Sequence, residues 1–306
     1  LARLERARAA DEAVMVFGDF DADGLTGLAI LVLALREVGL RVTPYVPSRL
    51  DEGHGLSLAA VDAAQAAGIT LIVTVDWATT SVAEIGVAAE GGIDVIVTDH
   101  HQVPAVLPPA IAIVNPHRAD SRYPDQRLAG SGVAFKVAQL VLGERPGGAA
   151  RALALADLAT IGTVADVAPI VGENRAIARI GLERLRTSPR PGIAALLERA
   201  RVAPADVDLE TVAFALAPRL NAAGRVGEAL DAARLLLATD AAEAAVHADA
   251  LEAANLSRRD LMKTAVSEAR QRLTEAGSDG SAPVTIVRGP WPVGIVGLVA
   301  SRLVED

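Results

Sequence analysis

The chain has 306 residues, a formal net charge of −9 and no cysteine. The lack of cysteine excludes a disulfide framework, thiolate zinc sites and a cysteine nucleophile, and a hydrophobic content of 51% excludes a disordered chain. The negative charge argues against bulk polyanion binding, so contact with nucleic acid is expected to be local and metal-assisted. The longest apolar run, from Leu28 to Leu35, is far shorter than the roughly 20 residues of a spanning helix. We therefore expect a soluble, cytoplasmic protein with no membrane partner.

Short apolar runs alternate with helical stretches along the first half of the chain. Several runs lack polar alternation, which is typical of parallel strands that are covered by helices on both faces. The predicted strands lie at 14–17, 42–46, 69–75, 93–97 and 110–114, and the predicted helices between them at 25–38, 57–67 and 81–90. This order predicts an α/β fold with a parallel sheet sandwiched by helices.

From about residue 151 the predicted strands stop and short helices follow. They lie at 158–164, 176–185, 193–199, 212–216 and 229–237. The segment 241–276 contains no proline or glycine and predicts one long helix, after which Gly277 begins a Gly/Ser-rich linker. A strand at 283–288 and a helix at 294–304 are predicted after the linker.

These patterns predict the domain organisation. We expect a catalytic domain over residues 1–239, with an α/β part at about 1–150 and a helical part at about 151–239. Residues 240–279 would form a long connecting helix and linker. One strand and one helix are too little for a domain, so residues 280–306 are expected to be the truncated start of a second α/β domain.

Acidic side chains directly follow three of the predicted strands. They are Asp19, Asp21 and Asp23 after the first strand, Asp76 after the third, and Asp99 with His100 and His101 after the fourth. In a parallel sheet these positions share one crevice, where α/β folds place their ligands. Because such carboxylates would repel one another strongly without cations, and because oxygen ligands with imidazoles suit Mn²⁺ or Mg²⁺, we expect a metal site. Two such ions, roughly 3.5–4 Å apart, would support phosphoester hydrolysis.

Simpler interpretations remain open for single residues. An aspartate after a strand is usually an N-cap of the next helix, although this interpretation does not account for the whole set at once. His54 lies in a glycine-flanked loop and is a candidate for substrate contact, with a solvated histidine as the alternative.

Several segments resemble the motifs of a known family. Asp-Phe-Asp-Ala-Asp-Gly at 19–24 and Asp-His-His at 99–101 are similar to signatures of the DHH phosphoesterase superfamily. Further matches follow in family order at 130–136, 157–169, 217–225 and 294–302. The ordered set covers nearly the whole chain and, within the superfamily, resembles the RecJ-type single-strand-specific exonucleases.

The resemblance implies how the acidic side chains share two ions. Asp21 would bind the first ion, with Asp19 as a further ligand or an orienting group. Asp23 would bind the second ion, and Asp76 would bridge the two ions and act in catalysis.

The resemblance also assigns the remaining residues of the metal centre. His100 and Asp166 would complete the shell of the second ion, and Asp166 is assigned by the resemblance alone because it lies in the helical half. His101 would lie beside the scissile phosphate, where it would stabilise charge or assist proton transfer.

Five further residues match segments that contact substrate in the family. Arg219, Asn221 and Arg225 would face the nucleic-acid backbone without distinguishing bases, and a salt-bridge cluster at a helix end is the alternative. Ser301 and Arg302 match the start of the DHH-associated domain, which closes over the substrate.

The chain departs from the family pattern after Asp76. The family usually has a small or polar residue and then glycine there, whereas this chain has Trp77 and Ala78. The indole could narrow the site, stack on a base or pack under the sheet, and the sequence does not distinguish these alternatives.

The resemblance implies a Mn²⁺- or Mg²⁺-dependent hydrolase that degrades single-stranded DNA in the 5′→3′ direction during DNA repair and recombination. Its implied partners are single-stranded DNA and a single-strand-binding protein or helicase. Two alternatives remain: a phosphodiesterase or phosphatase acting on short oligoribonucleotides or cyclic dinucleotides, and a non-catalytic scaffold. The long helical part favours a polymeric substrate.

Overall fold

The computed structural model of the chain describes residues 1–49, 51–143, 145–277, 282 and 284–305. These residues contain a five-stranded, fully parallel sheet with the strand order β2-β1-β3-β4-β5. The strands are β1 (Ala13–Gly18), β2 (Arg41–Tyr45), β3 (Leu71–Val75), β4 (Asp94–Thr98) and β5 (Ala112–Val114). The predicted fold class and all five strands of the first half are confirmed.

Helices cover both faces of the sheet because successive residues of a strand point to opposite sides. Val14 and Val16 of β1 pack in the larger core, whereas Met15 and Phe17 pack in a separate core on the other face. The helices of this part are α1 (Ala2–Ala9), α2 (Ala22–Glu37), α3 (Leu58–Ala66) and α4 (Val82–Glu90). Helix α2 is buried along nearly its whole length and starts at the acidic edge of the sheet.

The helical part packs against α2 and extends the larger core. Helices α5 and α7 pack on α2, which joins this part rigidly to the sheet. The helices are α5 (Gly130–Gly143), α6 (Gly148–Leu153), α7 (Ala156–Ala165), α8 (Gly172–Thr187), α9 (Pro191–Ala200), α10 (Leu209–Thr211), α11 (Ala217–Val226) and α12 (Ala229–Leu237). The predicted helix at 212–216 is a π-helical turn, Val212–Leu216, between α10 and α11.

The long predicted helix is α13 (Ala241–Glu275), which packs on α9, α11 and α12. Helix α14 (Val293–Val304) places Ile295 and Val299 against the second half of α13. The strand predicted at 283–288 is wrong for 284–288, which form no strand. An isolated strand leaves its backbone hydrogen bonds unpaired, and no described strand lies beside this segment. Residues 278–281 and Pro283 lie outside the described residues.

One described stretch is long and apolar enough to cross a bilayer by length and composition alone. It is Gly148–Ala165, which spans α6 and α7, and 61% of it is buried inside the fold. Such burial is typical of core helices, which pass the same test.

Candidate metal centre

The loop after β1 places three aspartates at the edge of the sheet. Asp21 is the N-cap of α2 and accepts hydrogen bonds from the backbone N–H groups of Asp23 and Gly24, each at 3.0 Å. Asp23 is buried and accepts from the N–H groups of Gly130 (2.6 Å) and Ser131 (2.9 Å) at the start of α5. The capping interpretation is therefore correct for Asp21, and α5 fixes the carboxylate of Asp23.

Asp76 follows β3 and lies at the centre of the cluster. Its backbone is in the left-handed region (φ 62°), and its N–H donates to the carbonyl of Thr98 at 2.9 Å. The side chain is buried, and its Oδ1 atom has no hydrogen-bond partner among the described residues. A Cβ atom on Gly130 would lie 2.3 Å from this oxygen, so glycine at position 130 leaves space for the carboxylate.

Asp99 organises the two histidines after β4. It accepts hydrogen bonds from the backbone N–H groups of Thr79, His100 and His101, and its Oδ1 lies 2.8 Å from Nδ1 of His101. Burial opposes the ionisation of Asp99, but the hydrogen bonds from His101 and Thr79 outweigh it and hold its pKa well below the usual value. Asp99 therefore acts as an ionised orienting group for His101.

His100 connects the strand ends to the helical part. Its Nε2 atom lies 3.0 Å from Oδ1 of Asp76 and 3.9 Å from Oδ2 of Asp23, and its Nδ1 atom lies 3.9 Å from Oδ2 of Asp166. Asp166 is the C-cap residue of α7. The fold thus brings Asp166, which is 66 positions away in the chain, to the same imidazole.

Three groups of potential ligands overlap at this edge, and the ligand atoms of each group lie within 4.8 Å of one another. They are Asp19, Asp21 and Asp76; Asp23, His100 and Asp166; and Asp76, His100 and His101. The first group has the members that the resemblance implies for the first ion, and the second group has those that it implies for the second ion except the bridging Asp76. The role of each ligand stays a prediction.

Burial and mutual repulsion disfavour the ionised forms of these acids. Burial, followed by the charge of Asp21, raises the pKa of Asp19 to about 7. Burial, followed by the charges of Asp23 and Asp21, raises the pKa of Asp166 to about 7 and that of Asp76 well above its usual value. A concentration of buried carboxylates of this kind requires positive charge for all of them to ionise at neutral pH.

The geometry of Asp76 and His100 fits a divalent cation. Their Oδ1 and Nε2 atoms are close, but the contact lacks the geometry of a hydrogen bond. Neighbouring ligands of an octahedral ion with bonds of about 2.1 Å lie about 3 Å apart. This spacing agrees with the 3.0 Å between Oδ1 of Asp76 and Nε2 of His100. An oxygen-rich set with imidazole suits Mn²⁺ or Mg²⁺, so the residues present fit the ions that the sequence predicts.

The residues predicted to face the nucleic-acid backbone have different surroundings. Arg219 Nε forms an ion pair with Glu252 Oε2 at 2.5 Å, as the salt-bridge alternative expects. Asn221 Oδ1 accepts from the N–H of Ala22 at 2.7 Å, at the start of α2. Arg225 is half-buried, and its Nη1 donates to the carbonyl of Gly294 at 3.0 Å. Their contacts with substrate stay predictions.

The other predicted substrate residues lie on two separate elements. The His54 ring contacts Phe20, with ring centroids 4.8 Å apart, so His54 lies beside the first acidic loop. Ser301 and Arg302 lie exposed on α14, where Arg302 pairs with Glu305 at 2.7 Å.

Arg49 is a candidate that sequence reasoning missed. Its guanidinium lies 5.0 Å from the centroid of the Phe20 ring, in a cation–π contact next to Asp19 and Asp21. Burial, followed by the charges of Arg49 and Arg258, lowers the pKa of Arg225. The only signal in the sequence was an arginine near the end of β2, so the fold was needed to reveal this positive region.

The parallel sheet with an acidic edge defines a class of protein. Residues 13–163 match the family model described as the DHH family, N-terminal domain. The match includes β1 to β5 and every acidic residue of the cluster except Asp166.

Similarity to individual proteins covers nearly the whole chain. The chain is 40% identical over 303 residues to the single-stranded-DNA-specific exonuclease RecJ of Bacillus subtilis (strain 168), which covers 99% of this chain and 38% of the relative. A crystal structure of exonuclease RecJ bound to manganese matches with a TM-score of 0.86 and 39% identity, over 99% of this chain and 76% of that chain. RecJ from Thermus thermophilus in complex with Mg²⁺ matches with a TM-score of 0.73 and 34% identity, over 99% of this chain and 40% of that chain. The chain belongs to the RecJ family of DHH proteins.

The relatives are longer than this chain. The chain spans between 38% and 55% of the length of six RecJ relatives to which it is 37% to 41% identical. It corresponds to about half of such a protein or less.

Proposed function

We propose that this chain hydrolyses phosphodiester bonds of single-stranded DNA from the 5′ end, using two Mn²⁺ or Mg²⁺ ions, in DNA repair and recombination. The observation that carries the proposal is the convergence of Asp76 and His100 with acidic side chains from two other parts of the chain, the loop after β1 and the end of α7. The RecJ relatives are named as single-stranded-DNA-specific exonucleases, and RecJ structures contain Mn²⁺ or Mg²⁺.

The ligand groups suggest how the ions would be held. Asp19 and Asp21 would hold the first ion, and Asp23, His100 and Asp166 would hold the second. Asp76 forms one group with Asp19 and Asp21 and another with His100 and His101, and it would bridge the two ions. A site with two bound divalent ions supplies an activated water and charge stabilisation at the leaving oxygen.

His101 would act on the phosphate. A hydrogen bond with Asp99 at Nδ1 fixes one ring nitrogen and raises the pKa of His101. The side chain is 42% exposed, so a substrate can reach it. His101 would therefore donate a hydrogen bond to the scissile phosphate and stabilise the charge that develops there.

Positively charged side chains on one side of the acidic loop would bind the nucleic-acid backbone. Arg49 and Arg225 are close enough for the charge of one to lower the pKa of the other, and an anion between them would relieve this repulsion. Since the chain carries a net charge of −9, a local cluster of this kind gives a focused attraction for phosphates. We expect contacts to phosphate rather than to base edges.

We extend the proposal to the setting of the reaction. A single-strand-binding protein or a helicase would supply the single strand, and the reaction would take place in the cytoplasm. The 5′→3′ direction derives from the family resemblance, and the helical part formed by α6 to α12 supports a polymeric substrate.

Degradation of end-labelled DNA tests the proposal. A single-stranded oligonucleotide carrying a 5′ label should release labelled mononucleotide with Mn²⁺, and the same strand with a 3′ label should shorten stepwise. A matched duplex and a chelator-treated sample should give no product. The proposal is wrong if the chain, with metal, degrades only dinucleotides or cyclic dinucleotides, or if the oligonucleotide stays intact.

A further inference from the structure

Trp77 contacts two histidines next to the candidate metal centre. Its indole meets the His101 ring edge-to-face, with ring centroids 4.6 Å apart and an interplanar angle of 77°. The centroid of the His54 ring lies 5.7 Å from that of the indole, and the two rings are tilted by 42°. The indole is therefore in contact with the one histidine that the proposed function places beside the phosphate.

The backbone around Trp77 is held in an unusual conformation. Asp76 and Ala78 both have positive φ, 62° and 89°, a region that L-residues rarely adopt. The hydroxyl of Thr74 donates a hydrogen bond to the carbonyl of Trp77 at 3.0 Å. This bond fixes the peptide group between Trp77 and Ala78. Such strain persists only where the surrounding structure over-determines it, so the backbone position from which the Trp77 side chain extends is strongly specified.

The loop after β2 packs on the Nε1 edge of the indole. A Cβ atom on Gly55 would lie 2.3 Å from Nε1 of Trp77 and 2.9 Å from its Cδ1. Gly55 also has φ of 96°, which favours glycine. The backbone at position 55 thus packs directly on the ring and restricts the movement of the indole.

Three groups surround the His101 ring among the described residues. Its Nδ1 bonds to Asp99, and the His100 ring lies next to it, with centroids 4.6 Å apart and an interplanar angle of 57°. The Trp77 indole is the third group. In the observed orientation a ring nitrogen of His101 lies within 4.8 Å of ligand atoms of Asp76 and His100. The indole occupies the space beside the imidazole and so limits how far the ring can tilt.

We propose that Trp77 is a positioning residue that holds the His101 imidazole against the metal centre. The inference rests on the proposed function, because it acts through the contact of His101 with the scissile phosphate. It differs from the three interpretations of Trp77 that the sequence leaves open, which are narrowing the site, stacking on a base and packing under the sheet.

The contact itself can be measured without metal or substrate. The chain has five histidines, so histidine ring protons are few enough to resolve by NMR, and a His101→Ala variant identifies the His101 resonance. The indole should shift this resonance by its ring current. Trp77→Ala should abolish the shift, Trp77→Phe should keep part of it, and an unchanged His101 resonance in Trp77→Ala would overturn the inference.

Kinetics on single-stranded DNA test whether the contact matters for catalysis. Trp77→Ala should lower kcat by at least about tenfold with KM changed less than about threefold, because a positioning residue acts on the transition state rather than on ground-state binding. Trp77→Phe should retain kcat within about threefold. The other tryptophan gives a matched control: Trp291 bonds to Glu268 on α13, and Trp291→Phe should leave kcat unchanged.

A double-mutant cycle gives the decisive comparison. In a His101→Ala background, the further change Trp77→Ala should alter kcat by less than about twofold, since two residues that act as a unit are not additive. If Trp77→Ala lowers kcat by the same factor in the unmodified chain and in the His101→Ala variant, the inference is overturned. It is also overturned if Trp77→Ala raises KM and leaves kcat unchanged, which would indicate that the indole stacks on a base. If the unmodified chain cleaves no DNA, the proposed function fails and the histidine spectra alone decide the positioning claim.

Discussion

Oδ1 of Asp76 and Nε2 of His100 lie 3.0 Å apart across the ends of β3 and β4, without the geometry of a hydrogen bond between them. Two atoms that both offer lone pairs repel each other unless a cation or a proton lies between them. The buried carboxylate of Asp76 also has the charges of Asp23 and Asp21 nearby, which raise its pKa further. A bound cation would therefore stabilise this pair by screening the repulsion between the two atoms.

The change Asp76→Asn removes this charge while keeping the shape of the side chain. We expect kcat on single-stranded DNA to fall by at least about 10²-fold, as for the loss of a major electrostatic group. Saturating Mn²⁺ at 100 times its Kd should stabilise the unmodified chain by about 2.7 kcal/mol, and this gain should shrink in the variant. Thermal unfolding with and without Mn²⁺ measures it. If the variant without metal is as stable as the unmodified chain without metal, its folding is intact. If Mn²⁺ stabilises the variant as much as the unmodified chain, Asp76 is not a metal ligand.

Gly130→Ala tests the packing of the centre from the side of α5. Its new Cβ would lie 2.3 Å from Oδ1 of Asp76, so the carboxylate must move, and we expect weaker Mn²⁺ binding and a kcat lowered by at least about tenfold. Gly143→Ala in the same helix is the matched control, because nothing lies within 4 Å of the added Cβ. Titration of Mn²⁺ by calorimetry compares the two variants, and equal affinities would show that Asp76 does not bind the metal.

Arg219→Ala should mainly lower the stability of the chain, whereas Arg225→Ala should mainly weaken its binding to DNA. Arg219 is committed to Glu252 of α13, so its loss should lower the free energy of unfolding by about 1–3 kcal/mol with little effect on DNA affinity. Arg225 is near enough to Arg49 for that charge to lower its pKa, and its loss should weaken DNA binding and reduce the slope of log K against log salt by about 0.7. Fluorescence anisotropy at several salt concentrations measures the slope. The opposite pattern would assign the phosphate contact to Arg219.

Asp125→Asn should make the chain less stable in a pH-dependent way. Hydrogen bonds from Arg127 outweigh burial and lower the pKa of Asp125 to about 2 from an ordinary 3.8, with a further bond from the N–H of Glu173 at the start of α8. Because the folded pKa is depressed, the stabilisation is fully present above pH 3.8 and is lost as the pH falls through about 2. The variant should lose about 1 kcal/mol at neutral pH, and the difference should vanish near pH 2.

Urea unfolding between pH 2 and pH 7 measures this dependence. Asp120→Asn is the control, since Asp120 forms an exposed pair with Arg118 and such pairs contribute little. A pH-independent difference for Asp125→Asn would contradict the assignment of the shift to Arg127.

The sheet and the acids at its edge could be predicted because their signals are local. Apolar runs without alternation indicated buried parallel strands, and the end of each strand fixed the positions of Asp19, Asp76 and His100. A parallel sheet then places these ends in one crevice. The resemblance was needed for Asp166, because no local pattern indicates that the end of α7 reaches His100.

Contacts between distant elements could not be predicted. The partner of Arg219 is 33 positions away on α13, and Arg49 meets Phe20 only through the loop after β2. The direction of the Trp77 indole depends on two positive φ values and on Gly55, which composition and spacing do not encode. The strand predicted at 283–288 was wrong for 284–288 because β propensity cannot supply the neighbouring strand.

Two divalent ions that share Asp76 should be visible by anomalous diffraction from crystals of this chain grown with Mn²⁺. We expect two peaks about 3.5–4 Å apart, both within coordinating distance of Asp76, one of them next to His100 and Asp166 and the other next to Asp19 and Asp21. An acidic edge without peaks, or with a single ion that Asp76 does not touch, would contradict this expectation.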